Sequence, residues 1–213
     1  MQSIWIFETM SNNIEVNNNT AERIEEINGY DEKLTTQLFT NEEVRSYIRC
    51  NLVMDEVISI RARALGEELD QVIVKNNYDV LVRPSDGTMI AFANKKAAME
   101  IRDFFKAQYQ LEYEARTFDL NEIMETSNNV RKTQFKNVTI ETLSGSSLSG
   151  QQVHNTEVFD IMHTAGELTN VAVAYPFRDK EASFTVSIYG SVVMYSNLSI
   201  EECLELLDEL FNI

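Results

Sequence analysis

The chain has 213 residues, 44% of them hydrophobic, with 34 acidic side chains against 18 basic ones for a net charge of −16. That length and apolar content suffice for a core burying roughly 70% of the unfolded surface, and two prolines with seven glycines argue against long low-complexity regions. A negative field of this size repels phosphate backbones, whose capture rests on many Lys and Arg contacts, so direct nucleic-acid binding is disfavoured.

The N-terminal MQSIWIFETM has neither a basic region nor a long apolar run, so no signal peptide is expected. No stretch approaches the ~18 apolar residues of a membrane span. Cys50 and Cys203 fall at apolar positions and read as small buried hydrophobes, not as a disulfide framework, which points to a reducing cytoplasm.

In chain order, Ile4 to Phe7 has the pattern of a short strand. Asn19 with Glu22 has the form of a capping box and Asn28-Gly29 that of a helix stop, so a short helix is expected between them. Thr40 with Glu43 repeats the signature. It opens the longest expected helix, in which Val44, Tyr47, Ile48, Leu52, Val57, Ile58 and Ala62 keep helical spacing up to Gly66. Arg45, Arg49, Arg61 and Arg63 would project from it and pair locally with Glu42, Asp55 and Glu56. Residues 1–66 are thus expected to form a mainly helical segment.

Short apolar runs take over in residues 67–118. Val72 to Val74, Val80 to Val82 and Met89 to Phe92 are separated by Asn76-Asn77 and by Pro84-Ser85-Asp86-Gly87, both turn chemistry. Asn94 would cap a helix with Ala97, Ile101, Phe104 and Phe105 inward. Residues 119–169 then connect through a short helix with Asp119 and Glu122 as capping box, a strand from Gln134 to Leu143, and a mobile Gly/Ser loop from Ser144 to Gln152. Glu157 to His163 suits helix and strand alike, because so short an apolar run does not decide by period.

Residues 170–213 read as three strands and a closing helix. Asn170 to Phe177 alternates with period two, Ser183 to Ile188 and Val192 to Tyr195 follow, and Tyr189-Gly190 offers the reversal between them. Ser199 and Glu202 make a capping box for a helix whose apolar face holds Ile200, Cys203, Leu204, Leu207, Leu210 and Phe211. An offset of 103 residues superposes Gly87 on Gly190, Asn94 on Asn197 and Ile101 on Leu204, which suggests two similar units. The expected fold is therefore α+β, with antiparallel sheet from two βββα units and a helical N-terminal segment. Its four segments could also make one compact domain.

The search for chemistry returns little. There is no phosphate-cradling loop, dinucleotide fingerprint, H-E-x-x-H or paired C-x-x-C, and Ser147 lacks the glycine two residues on that a nucleophile elbow requires. His154 and His163 are the two histidines and have no clustered third ligand, so neither metal nor cofactor is expected. One loose set, Asp119, Glu122, Gln134 and Lys136, resembles the acidic residue and [acid or Gln]-x-Lys pair of magnesium-dependent nucleases. It would imply carboxylates holding the cation and a lysine steadying the attacking water or the charged transition state.

The larger expectation is a non-catalytic acidic interaction protein. From Asn137 onward eleven acidic side chains face two bases, Arg178 and Lys180, and Glu201, Glu202, Glu205, Asp208 and Glu209 line one helix face without a base among them. Such a face would dock on a basic protein partner, for instance as an inhibitor presenting carboxylates where a nucleic acid presents phosphates. The same charge also serves solubility. The two similar units would suit a self-associating subunit as well, so a second copy of the chain is a further candidate partner.

Overall fold

The computed structural model describes residues 1–64, 66–140 and 142–211. Strand takes 50% of the chain and helix 22%. In chain order the first elements are β1 (Gln2–Glu8), β2 (Asn19–Ile27), β3 (Tyr30–Val44), β4 (Tyr47–Ala64), β5 (Glu67–Val82), β6 (Met89–Ala91) and α1 (Lys95–Tyr109). They are followed by β7 (Glu114–Ala115), α2 (Leu120–Thr126), β8 (Asn129–Lys136), β9 (Gly145–Ser149) and α3 (Glu157–Ala165). The chain closes with β10 (Glu167–Phe177), β11 (Lys180–Ser187), β12 (Ser191–Met194) and α4 (Ile200–Phe211).

The helical N-terminal segment of the expected α+β fold does not exist; the protein is dominated by antiparallel sheet. The first stretch expected as a helix is β2, and the second covers the end of β3, its turn and the 18-residue β4. Asn28 and Gly29 are not a helix stop but the two left-handed residues of a hairpin turn, with φ of 51° and 84°, the conformation that favours Asn-Gly in two-residue hairpins. Arg45, at φ 55°, turns the chain between β3 and β4, so that Val44 faces Tyr47. Within β4 the buried Cys50, Leu52 and Met54 recur with period two, and β-branched Ile48, Val53, Val57, Ile58 and Ile60 favour the pleated state. The helical spacing seen in the sequence is a coincidence of a strand that is apolar on both faces.

The chain forms two units. The second unit, Thr9–Tyr113, is a meander in the strand order β2-β3-β4-β5-β6 with α1. Asn76-Asn77 does not turn the chain. Those residues lie opposite Met54 and Val53 in an unbroken β5, so the first expected βββα unit has one 16-residue strand where two short ones were expected. Asn94 caps α1 by accepting from the Ala97 N–H at 3.0 Å, and Ala97, Ala98, Ile101, Phe104 and Phe105 are its buried side.

The turn from Arg83 to Thr88 is tied by side chains. Asp86 accepts from the Arg83 guanidinium and from the Thr88 N–H, and Arg83 also reaches the Thr88 hydroxyl at 3.1 Å. The Ile14 N–H donates to Pro84 O at 2.9 Å, which pins the preceding segment to the turn.

The first unit, Met1–Glu8 with Glu114–Ile213, orders its strands β7-β1-β12-β11-β10-β8-β9 in antiparallel ladders. The stretch expected as a mobile Gly/Ser loop contains β9, whose five residues pair with β8 from Lys136↔Gly145 to Lys132↔Ser149. The neighbouring strand, β8, spans Asn129–Lys136 and so begins and ends earlier than expected; Glu141, within the expected Gln134–Leu143 strand, lies outside the described residues. Between Glu157 and Ala165 the chain is a helix, α3, which sets Phe159 on Phe135 with ring centroids 5.6 Å apart. In α4 the Ser199–Glu202 capping box is reciprocal. The Ser199 N–H donates to Glu202 at 2.9 Å and the Glu202 N–H to the Ser199 hydroxyl at 3.2 Å. Phe211 at the far end stacks on Phe118 at 4.1 Å.

Gly87 and Gly190 both adopt positive φ, 73° and 86°. A Cβ on Gly87 would collide with the side chains of Ile14 and Thr9, whereas Gly29 has nothing within 4 Å. Replacing Gly29 with Ala is expected to cost about 1 kcal/mol of backbone strain, and Gly87→Ala about 2 to 4 kcal/mol once overpacking is added; denaturant unfolding of the two variants checks the difference. Burial alone would raise the Asp86 carboxyl, but hydrogen bonds from Arg83 and Thr88 outweigh it and hold the group at about 2, below the ordinary 3.8. Its stabilisation is therefore present above about pH 4 and lost as pH falls toward 2. Unfolding across that range should show a gap between wild type and Asp86→Asn at neutral pH that closes by pH 2.

Candidate functional site

The acidic face of α4 is built on its capping box, which fixes the start of the helix and the direction of Glu202. Arg178 and Lys180 then reach across from the β10–β11 turn and β11. The Arg178 guanidinium grips Glu205 with two bonds, 3.0 and 2.6 Å, and lies 3.4 Å from Glu202, which also takes Lys180 at 3.0 Å. Hydrogen bonding to Glu205 raises the Arg178 pKa further, and the Ser199 N–H together with Lys180 lowers that of Glu202. Glu209 accepts the Tyr175 hydroxyl at 3.1 Å. The two bases of the C-terminal part are thus already held by the face they were expected to leave uncompensated, and Glu201 and Glu209 remain its exposed carboxylates.

The alternative set divides. Asp119 is the N-cap of α2, its carboxylate accepting from the N–H groups of Asn121 at 2.9 Å and Glu122 at 3.3 Å. Both acids line a small cavity of about 110 Å³ with Arg116, Phe118 and Phe211, and neither Gln134 nor Lys136 reaches its wall. Arg116 is turned to Glu8 at 3.0 Å and to Phe211 O at 2.8 Å. Gln134 and Lys136 lie on β8 opposite Asn170 and Glu167, and the Lys136 ammonium sits 5.2 Å over the Tyr189 ring. Among the described residues no three His, Cys, Asp or Glu side chains group to hold a metal ion.

Both thiols are buried. Burial pushes Cys50 up to about 12 and, with Glu202 nearby, Cys203 up to about 11, so both stay protonated and unreactive near neutral pH. Among the described residues no helix is long and apolar enough to cross a membrane.

The second unit carries a feature that sequence reasoning missed. β3 and β4 share their last rung at Thr36↔Met54, while β4 and β5 stay paired to Ala64↔Glu67. Where they part, Asp55 takes over: its carboxylate accepts the Thr35 N–H at 2.8 Å and hydroxyl at 2.7 Å, with the Lys75 ammonium 3.7 Å away. Burial pushes the Asp55 carboxyl up, but the bonds from Thr35 and Lys75 prevail and hold it below the usual range. Glu56, also buried, accepts the Tyr78 hydroxyl, whose own pKa burial and that carboxylate raise. Beyond this point the β4–β5 ribbon extends roughly 30 Å, at about 3.3 Å per residue.

The β2–β3 turn returns to the ribbon through one side chain. Asn28 donates from Nδ2 to Gln71 O at 2.8 Å, and its Oδ1 accepts from Gln71 N at 3.1 Å and Asp70 N at 3.2 Å. Between turn and β5 lies an open groove of about 540 Å³, walled by Ile27, Tyr30 and Glu32 on one side and by Glu68, Leu69, Val72 and Ile73 on the other. Tyr30 is 69% exposed and Ile73 39%. The one sequence signal that could have located it is Asn28-Gly29 read as a hairpin.

The chain matches no protein-family model and no curated protein sequence.

Asn28→Gly keeps the left-handed turn while removing three hydrogen bonds. It should lower stability by about 1 to 2 kcal/mol and accelerate hydrogen exchange at the Asp70 and Gln71 amides, which exchange mass spectrometry or NMR would resolve.

Proposed function

We propose that this is a non-catalytic acidic interaction protein of the cytoplasm that captures a basic protein partner. The observation that carries the reading is how the first unit disposes of its bases. That unit holds sixteen acidic and six basic side chains. Arg116, Arg131, Arg178 and Lys180 each pair with a carboxylate of the same unit and Lys136 lies on an aromatic face. Five of the six bases are thus engaged at the surface, Lys132 being the sixth, while Glu157, Asp160, Asp179, Glu201 and Glu209 stand exposed. A surface of that kind raises the encounter rate with cationic partners and turns polyanions away.

Asp119 as a helix cap and Lys136 as a partner of Tyr189 have structural duties that do not require catalysis. The acidic reading therefore takes precedence over the nuclease-like one.

The test is titration of the whole protein with a lysine-rich peptide and with a single-stranded oligonucleotide, each at ~50 and ~300 mM salt, with and without magnesium. Binding of the peptide that weakens at the higher salt is the expected outcome. Magnesium-dependent oligonucleotide cleavage that disappears in Lys136→Ala would overturn it.

A further inference from the structure

β5 has two edges, and the bonds at its ends reveal where each residue points. The Arg83 N–H donates to Thr88 O at 2.9 Å and the Phe92 N–H to Asp79 O at 3.0 Å, so the odd-numbered residues turn their backbone polar groups toward the β6 side. At the far end Gln71, also odd, has both N–H and C=O taken by the Asn28 amide. Between these points, Ile73, Lys75 and Asn77 direct three N–H and three C=O groups to an edge that no described residue occupies. All three side chains are exposed.

Asn28 shows what that edge accepts. A primary amide that donates to Gln71 O and accepts from Gln71 N makes the two bonds that a residue of an adjacent antiparallel strand would make. The vacant stretch begins just beyond that rung, at Ile73, where it meets the part of the groove walled by Ile27, Tyr30, Val72 and Glu32; Glu68 and Leu69 line the groove on the other side of the rung. We infer that the open edge of β5 receives an extended segment of the partner protein as an added strand, with apolar side chains alternating with Lys or Arg. Main-chain bonds to Ile73, Lys75 and Asn77 supply the pairing, Ile27, Tyr30 and Val72 take the apolar side chains at the end nearest the rung, and Glu32 selects for base there. This rests on the reading of the protein as a captor of basic partners and gives that capture a place in the second unit. The opposite edge of the ribbon does not suit the same role, because the bulge between Ser59 and Ala62 disrupts its line.

The experiment uses the whole protein and an acetylated eight-residue peptide of alternating Val and Lys, with its Val–Glu counterpart as control, followed by residue-resolved hydrogen exchange. The Lys peptide should bind and the Glu peptide should not, and protection should appear at the amides of 73, 75 and 77 while 74 and 76, already bonded to β4, stay unchanged. Asn77→Pro removes one outward N–H without touching the β4–β5 ladder and should weaken binding at least ~10-fold. Should that variant misfold, Glu32→Lys serves instead, and the preference for the Lys peptide over the Glu peptide should fall several-fold. Lys-peptide binding without protection at 73, 75 and 77 would sink the strand-addition inference and leave the acidic capture standing; no Lys-peptide binding at all would sink both. Protection that grows with protein concentration in the absence of peptide would identify a second copy of the chain as occupant and overturn the inference.

Discussion

Asp55 stands at the point where one ladder ends and another goes on, and the shape of the second unit follows from it. A sheet cannot let two strands diverge without leaving N–H and C=O groups bare. Here a carboxylate replaces the carbonyl that β3 loses, and the Arg23 guanidinium donates to Asp55 O at 3.3 Å on the neighbouring side. With the divergence satisfied, β4 and β5 continue as a ribbon, and the β2–β3 hairpin is free to bend until Asn28 meets Gln71. The groove is the space left between a hairpin and a ribbon that share a base and touch again at one residue.

The charge pattern obeys a similar economy of partners. A helix starting Ser199-Ile200-Glu201-Glu202 places acids at its positive end, where the backbone dipole favours them, and β11 begins with the lysine that meets Glu202. Compensation is therefore local and regional at once: bases are few, and four of the six in the first unit are drawn to carboxylates close at hand. The carboxylates left over are more numerous than the bases left over, so the exposed surface of the first unit is net acidic.

Residues 170–213 were legible in the sequence, and the reason is that their local signals agree with their packing. Ser199 and Glu202, the period-two run from Val171 to Tyr175, and Gly190 each specify one conformation, and Asp119 and Asn94 are caps in fact as in pattern. The N-terminal half misled because its signals are ambiguous at short range. Asn19 and Glu22 have capping-box spacing by chance in a strand whose outward face is polar, and Asn-Gly ends helices as readily as it turns hairpins. The residues that shape the groove were beyond any local reading: Asp55 acts on Thr35 twenty positions back, and Asn28 on Gln71 across forty-three. The carboxylates of α4 were found but not their neutralisation, since Arg178 lies 27 positions from Glu205 and joins it only when the strands are laid down.

The first unit is discontinuous in sequence, and that has a consequence for how the chain is made. Among the described residues of that unit, β1 pairs with Glu114 and Ala115 of β7 and with Ser191–Met194 of β12. Thr9–Tyr113, by contrast, is contiguous and built from hairpins between neighbouring strands, the low-separation contacts that form early. During vectorial synthesis the second unit has all its own residues while most of the first has yet to emerge. Ile4, Trp5, Ile6 and Phe7, an apolar run translated before the second unit, must meanwhile wait for β7 and β12, translated after it. A segment translated before the second unit is thus completed only after that unit can fold, and it is one that a nascent-chain chaperone would have reason to hold.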